Sequence, residues 1–375
     1  MTVGMQITGP VDYPLPDGVR SRVVNNGNGA DLHILEAGYR DPGRPCVLLL
    51  HGFPELAYSW RKVLPVLAAG GYHAVAPDQR GYGHTLAWDD HEVGSQRLFN
   101  LMLDALGLIM ALNRSSVAAV VGHDFGSFVA ALCAALRPEV FRSAVLMSAP
   151  FAGLPKAAAS PDTIHAELAK LKPPRKHYQW YFSSPEAADD MRHCPQGLQN
   201  FLRAYFHMKS ADWPGNRPQP LASWSAAELA TMPAYYIMQL DQDMPATVAA
   251  QMPGAEQIDA CRWLPDSQLR VYSEAFARTG FQAALNGYRC VTSGAYNEEL
   301  YAYSHRNIEV PACFIAGASD WGPYQKPGAL EAMQQRACSQ LLGVHLLEGA
   351  GHWVQQEQAQ AVNRLLLDFL QRVAR

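Results

Sequence analysis

A mostly parallel β-sheet flanked by helices, with a helical cap inserted into it, is the fold that the sequence predicts. Three observations lead there. From about residue 30 to residue 150, short apolar runs bounded by turn residues alternate with longer amphipathic stretches, the pattern of parallel strands joined by crossover helices. From Pro150 to about residue 305 that alternation stops, and the chain carries frequent Pro, Trp and Tyr with helical patches. Beyond that point the strand and helix signals return.

Taken in order, CVLLL (46–50), HAVAP (73–77), VAAVV (117–121) and AVLMS (144–148) read as strands. Between them, 58–68, 96–112 and 126–136 place apolar residues at helical spacing, and Asn113 with Arg114 marks the end of the second helix. In the last part PACFIAG (311–317) and VHLLEG (344–349) read as strands, with helical segments around 329–339 and from about 357 onward. The expected organisation is a core in two parts, 1–151 and 306–375, split after the sixth core strand by a cap spanning 152–305. Ligands of open α/β sheets bind at the carboxyl ends of the strands, so those loops are where the chemistry is sought.

Composition narrows the function. A chain of 375 residues with 49% hydrophobic content can bury a large core and exceeds the roughly 100–200 residues of an ordinary domain. Charged residues make up 17%, the net charge is -4, and no stripe of Lys or Arg is present to track phosphates, so nucleic acid is not an expected partner. The seven cysteines (Cys46, Cys133, Cys194, Cys261, Cys290, Cys313, Cys338) are scattered and odd in number, without CxxC or Cys/His ligand spacing. That pattern points to a reducing cytoplasm and no structural zinc. The first twenty residues lack a charged segment followed by an apolar one, and apolar runs such as FVAALCAAL (128–136) are shorter than a membrane span, so no membrane partner is expected. With no dinucleotide fingerprint, P-loop or metal cluster, no cofactor is expected either. Nothing in the sequence speaks to oligomeric state.

The run VAAVV leads into Gly122-His123-Asp124-Phe125-Gly126 and directly into a helix. This is the strand–turn–helix setting of the G-x-S-x-G nucleophile elbow, with Asp in the serine slot. A glycine-rich turn whose Asp caps the next helix would look the same. Two more residues shift the balance. Asp320 in GASDWG follows one late strand, and His352 in GAGHW follows the other, giving the order nucleophile, acid, histidine. Each alone could be a turn, cap or packing residue. Together they point to Asp124 as nucleophile, His352 as general base and Asp320 as its orienting acid.

An aspartate changes the chemistry. A carboxylate with an ordinary pKa of about 3.9 is ionised at neutral pH without help from a base, and it can displace a leaving group at an activated sp3 carbon to form an ester. The histidine is then free to activate water against the carbonyl carbon of that ester. The resulting oxyanion needs two N–H donors, which elbow architecture supplies from the residue after the nucleophile, Phe125, and from the loop His51-Gly52-Phe53-Pro54-Glu55, where Phe53 is the candidate.

With these residues in view the chain resembles the soluble epoxide hydrolases of the α/β-hydrolase superfamily. HGFPE (51–55) and YSWR (58–61), DQRGYG (78–83), GHDFG (122–126), SAPF (148–151), ALNGYR (284–289) and GAGHWVQQE (349–357) resemble that family's motifs in the same order, across roughly residues 30 to 373. The resemblance implies an α/β-hydrolase core with a cap, and conversion of a small hydrophobic epoxide to a vicinal diol. It also implies two cap tyrosines that protonate the ring oxygen. Tyr178 in HYQWYF resembles the first, with Tyr181 as the alternative, and Tyr288 in ALNGYR resembles the second. Glu55 and His123 are implied to help position the hydrolytic water. The chain departs from the family in Asn286-Gly287-Tyr288-Arg289, where NWYR is frequent, and in Phe125, where Trp is frequent; loss of a bulky ring beside Tyr288 predicts a differently shaped pocket.

An alkyl halide is the alternative electrophile for the same nucleophile. Haloalkane dehalogenases generally carry Trp after the nucleophile and fluoroacetate dehalogenases carry Arg, whereas this chain has Phe125. A serine esterase is excluded by Asp124 itself. A non-catalytic binder of hydrophobic ligands is the remote alternative, though it would have no need of all three catalytic groups.

Overall fold

Glycine- and asparagine-rich Asn25–Gly29 turns the chain between β1 (Val19–Asn25) and β2 (Ala30–Ala37), an antiparallel hairpin that the apolar periodicity did not announce. The core continues through β3 (Cys46–Leu50), β4 (His73–Pro77), the short β5 (Leu86–Ala87), β6 (Ala119–His123) and β7 (Ala144–Met147). A two-stranded ribbon, β8 (Arg175–His177) and β9 (Ile237–Gln239), lies in the cap, and β10 (Ala312–Gly317) and β11 (Leu341–Leu347) complete the core. The computed structural model describes residues 13–156 and 163–374. The expectation for the first twenty residues therefore falls outside the described residues at 1–12, as does that for the cap at 157–162.

The sheet order is β1-β2-β4-β3-β6-β7-β10-β11, with β5 on β2. From β4 to β11 all neighbours are parallel, while β2 meets β1, β4 and β5 antiparallel. The strands' apolar residues alternate between two cores. Val47 and Leu49 of β3 enter one, which also contains most of the buried apolar cap residues, and Cys46, Leu48 and Leu50 enter the other. Burial on both faces explains the near-continuous apolar runs of these strands.

Several boundaries differ from expectation. β6 starts at Ala119 because Val117 makes only an isolated bridge to Phe141, and it runs on to His123. β7 stops at Met147 because Ser148 turns away with φ +68°. β11 begins at Leu341, three residues early, drawn in by pairing with Ala312. The stretch 58–68 is not one helix but a tight turn (Ala57–Trp60) followed by a helix at Leu64–Ala69. The cap is mostly helical, as expected, but the β8–β9 ribbon braces it from within.

Register brings the site together. Leu50 pairs with Gly122, His123 with Met147, and Met147 with Ile315, so β3, β6, β7 and β10 end along one edge. β11 ends there too, where Gly317 pairs with Leu347. The loops leaving that edge carry Phe53, Asp124, Ser148, Asp320 and His352.

Candidate active site

Asp124 sits between β6 and the helix Phe125–Leu136 with φ +52° and ψ -117°, a conformation an L-residue adopts only under strain of about 1–3 kcal/mol. Its flanking glycines are required by space. A Cβ on Gly122 would lie 2.0 Å from the Gly126 carbonyl oxygen, and one on Gly126 would lie 2.4 Å from that of Leu50. The turn holds the carboxylate at the positive end of a helix while leaving its side chain 15% exposed.

Both oxygens of Asp124 are addressed. The Phe53 N–H donates to Oδ1 at 3.1 Å, and His352 Nε2 stands 3.4 Å from Oδ2. Nε2 makes no hydrogen bond to a described residue. On the other side of the ring, His352 Nδ1 lies 3.2 Å from Asp320 Oδ1, to which the Gly322 N–H also donates at 2.8 Å. Phe125, the other expected donor, opens the helix beside Asp124, and its ring lies 6.0 Å from that of Tyr288. Burial alone would raise the Asp124 pKa, but the facing His352 imidazole, followed by the charges of Lys209 and His123, holds it far below the usual carboxylate range. Asp320 is likewise depressed: burial opposes its charge, and His352 and Ser148 outweigh that.

Of the cap tyrosines, Tyr178 starts the helix Tyr178–Ser183 and Tyr288 lies within Gln282–Ser293, with ring centroids 5.9 Å apart. The Tyr178 hydroxyl donates to Gln325 Oε1 at 3.2 Å, while that of Tyr288 has no hydrogen-bond partner among the described residues. Burial, then the charge of Asp124, pushes both phenols above their ordinary pKa, so both keep their protons. Tyr181 points elsewhere. Its hydroxyl donates to Asp190 Oδ2 at 3.0 Å, and it lines a separate cleft of about 490 Å³ with Trp180 and Lys176.

Glu55 and His123, expected beside a water, bond to protein. His123 Nδ1 lies 2.6 Å from Glu55 Oε2 and Nε2 lies 2.7 Å from the His352 carbonyl oxygen. Two acceptors require two N–H donors, so His123 is an imidazolium. Burial opposes that charge, but Glu55 outweighs it and raises the pKa. Glu55 also accepts from Gln355 and Gln356 through Oε1, at 2.9 and 2.8 Å, and the charge and hydrogen bond of His123 bring it down to about 2 against the effect of burial.

Sequence reasoning missed several side chains here. The Ser148 hydroxyl donates to Asp320 Oδ2 at 2.6 Å and lies 2.8 Å from His352 Nδ1; SAPF drew notice as a motif, but nothing in it pointed to the serine. Glu357 accepts the N–H groups of Ala211, Gly351 and Trp353 at 2.8, 2.9 and 2.9 Å, tying the cap to the histidine loop. Gln325 bridges Tyr178 and Tyr236. Lys209, buried at the end of the cap helix Leu198–Lys209, adds a cation.

The sheet order and the elbow define an α/β hydrolase, and the profile of the family described as alpha/beta hydrolase fold matches residues 45–251. Among curated proteins, epoxide hydrolase A of Mycobacterium tuberculosis is 33% identical over 349 residues, 92% of this chain and 95% of that protein. Epoxide hydrolase B of the same species is 31% identical, covering 92% and 97%. Among solved structures, an epoxide hydrolase from an endophytic Streptomyces superposes with a TM-score of 0.77 at 32% identity, covering 95% and 96% of the two chains. Potato epoxide hydrolase I (Solanum tuberosum) gives 0.74 at 27%, covering 94% and 99%. The chain belongs to the epoxide hydrolase family of the α/β-hydrolase superfamily.

Proposed function

We propose that this epoxide hydrolase turns an epoxide and water into a vicinal diol through an ester on Asp124. The observation that carries the proposal is the division of labour at one carboxylate: Phe53 N–H on Oδ1, and His352, backed by Asp320, facing Oδ2. Oδ2 attacks a ring carbon, the C–O bond of the ring breaks, and the departing oxygen takes a proton from Tyr178 or Tyr288. An alkoxide is a stronger base than a phenolate, so even a phenol of raised pKa gives up its proton to it. Oδ1 is then the carbonyl oxygen of the ester.

In the second step His352 Nε2 takes a proton from water, and the hydroxide adds to Cγ of Asp124. Negative charge collects on Oδ1, where the N–H groups of Phe53 and Phe125 receive it. Collapse expels the diol with Oδ2, which takes the proton held by His352, while the proton of the added hydroxyl returns to the phenolate, so the water oxygen stays in the carboxylate and both groups are restored. Glu55 and His123 serve this step by holding the His352 backbone. Residues 152–305 act as the cap that supplies the tyrosines and excludes solvent, between core parts 1–151 and 306–375. The requirement for a proton donor favours an epoxide over a halide, which leaves as a stable anion. A cytoplasmic location is part of the proposal, supported by seven cysteines that are all free; no helix among the described residues is long and apolar enough to cross a membrane.

The test is His352→Ala with a small aryl epoxide. Intact-protein mass spectrometry is expected to show a stable adduct of one substrate mass and no diol. Binding without adduct would overturn the covalent route.

A further inference from the structure

Lys209 is an ion without a counter-ion beside the nucleophile. Its carbonyl accepts the His352 N–H at 2.8 Å, which ties its backbone to the catalytic loop, and the residue is only 3% exposed. The ammonium nitrogen lies 5.3 Å from the ring centroids of Tyr236 and Trp353, 5.5 Å from Tyr205 and 6.0 Å from Tyr235. Aromatic faces attract a cation but do not satisfy its three N–H donors. Among the described residues the ammonium has neither a hydrogen-bond nor an ion-pair partner. Burial pushes the Lys209 ammonium below the usual lysine range, and the charges of Asp124 first, then Asp320 and Glu55, oppose that; each of these carboxylates is already engaged with a histidine.

Tyr205 stands one helical turn before Lys209 on the same face. Its hydroxyl also lacks a hydrogen-bond partner among the described residues, and it sits within electrostatic reach of Tyr178 and Asp124. Lys209 and Tyr205 are thus both buried residues whose polar tips lack a hydrogen-bond partner among the described residues and lie within electrostatic reach of Asp124, yet neither tip is fully enclosed, so both open onto space that a ligand can enter. Burying a charge is unfavourable unless it is paired and hydrogen-bonded, and neither is supplied here by the protein. The group that completes such a pair offers at least two acceptor lone pairs and a negative charge.

We propose that Lys209 and Tyr205 form a specificity subsite for a carboxylate carried by the epoxide, so that preferred substrates bear an anionic group rather than being wholly hydrocarbon. The inference rests on the epoxide chemistry at Asp124 and refines the small hydrophobic substrate that the sequence suggests. The ammonium offsets the repulsion between that carboxylate and Asp124, which a neutral residue at 209 would leave unopposed.

The test compares 4-(oxiran-2-yl)benzoate with 2-(4-nitrophenyl)oxirane, whose carboxylate and nitro groups are close in shape but differ in charge. Intrinsic reactivity differs between the two, so the readout is the ratio of their kcat/KM values across variants. Lys209→Met is expected to lower the benzoate-to-nitro ratio about tenfold or more, the effect of one charge-assisted hydrogen bond, and Lys209→Arg to retain most of it. A ratio unchanged in Lys209→Met overturns the subsite, whether both rates fall together or neither falls. Should Lys209→Met not fold, the wild-type enzyme decides: the diol of the benzoate must inhibit at least about tenfold more strongly than the nitro diol, and equal inhibition overturns the proposal. Turnover of neither epoxide by the wild type would count against the epoxide chemistry itself, whereas turnover of the nitro compound without discrimination by residue 209 counts against the subsite alone.

Discussion

Glu55→Gln removes one partner of the buried ion pair whose histidine, His123, lies against the His352 carbonyl. The cost can be worked from the carboxyl itself. Glu55 is held at about 2 in the folded protein against an ordinary 4.5, which corresponds to about 3 kcal/mol of folding stability at pH 7 from roughly 1.36 kcal/mol per pH unit. Because the folded pKa is the lower one, this stability is fully present above pH 4.5 and is lost as the pH falls through about 2. At pH 3 a little under half of it is left. Breaking a buried pair from one side typically costs about 3–5 kcal/mol, in agreement with the pH 7 figure. With an unfolding entropy of about 2.1 cal/mol/K per residue over 375 residues, Tm should fall by about 4 °C at pH 7. Equilibrium urea unfolding of wild type and variant at pH 7 and pH 3 reads the difference. A penalty below 1 kcal/mol at pH 7, or one that does not shrink at pH 3 (about half is expected), would refute the charged Glu55–His123 pair.

The tyrosines and the serine give two further expectations. Tyr178→Phe and Tyr288→Phe together should slow formation of the alkyl-enzyme by about 10²–10⁴-fold while affecting ester hydrolysis less; stopped-flow kinetics separate the steps, and the reverse order would remove both phenols from ring opening. Ser148→Ala takes a 2.6 Å donor from Asp320 Oδ2 and should lose about 1.5–3 kcal/mol of stability, with kcat/KM reduced about tenfold. Wild-type kcat/KM in a folded variant would show that Ser148 does not help orient His352.

How much of this was legible depends on what kind of signal each residue leaves. Asp124, Asp320 and His352 follow short apolar strands, and strand ends are visible as the point where an apolar run meets Gly, Asp or Ser, so all three could be placed before the sheet was seen. β3, β4 and β10 lie within a residue of where their runs place them for the same reason. The β1–β2 hairpin escaped because its outer strand, VRSRVVN, is half exposed and carries two arginines that pair with Glu36 across the strands. The cap ribbon escaped because three residues on each strand are too few for a period of two to show. Within the cap, nothing in FLRAYFHMKSADW states which side chains turn toward the core. Lys209 comes next to the histidine loop because the end of the Leu198–Lys209 helix docks there through Glu357 and the Lys209 carbonyl, which are tertiary contacts. His123 was noticed, but its charge follows from two acceptors more than 65 residues away in the chain.

Single-turnover hydrolysis in H2(18)O, with enzyme in excess over epoxide, tests the covalent role of Asp124 most directly. The diol of that first turnover should contain no label, because its new oxygen comes from Oδ2, and the label should be found in the peptide containing Asp124. Label in the first-turnover diol with none in that peptide would mean that water attacks the epoxide itself, and Asp124 would not be the nucleophile.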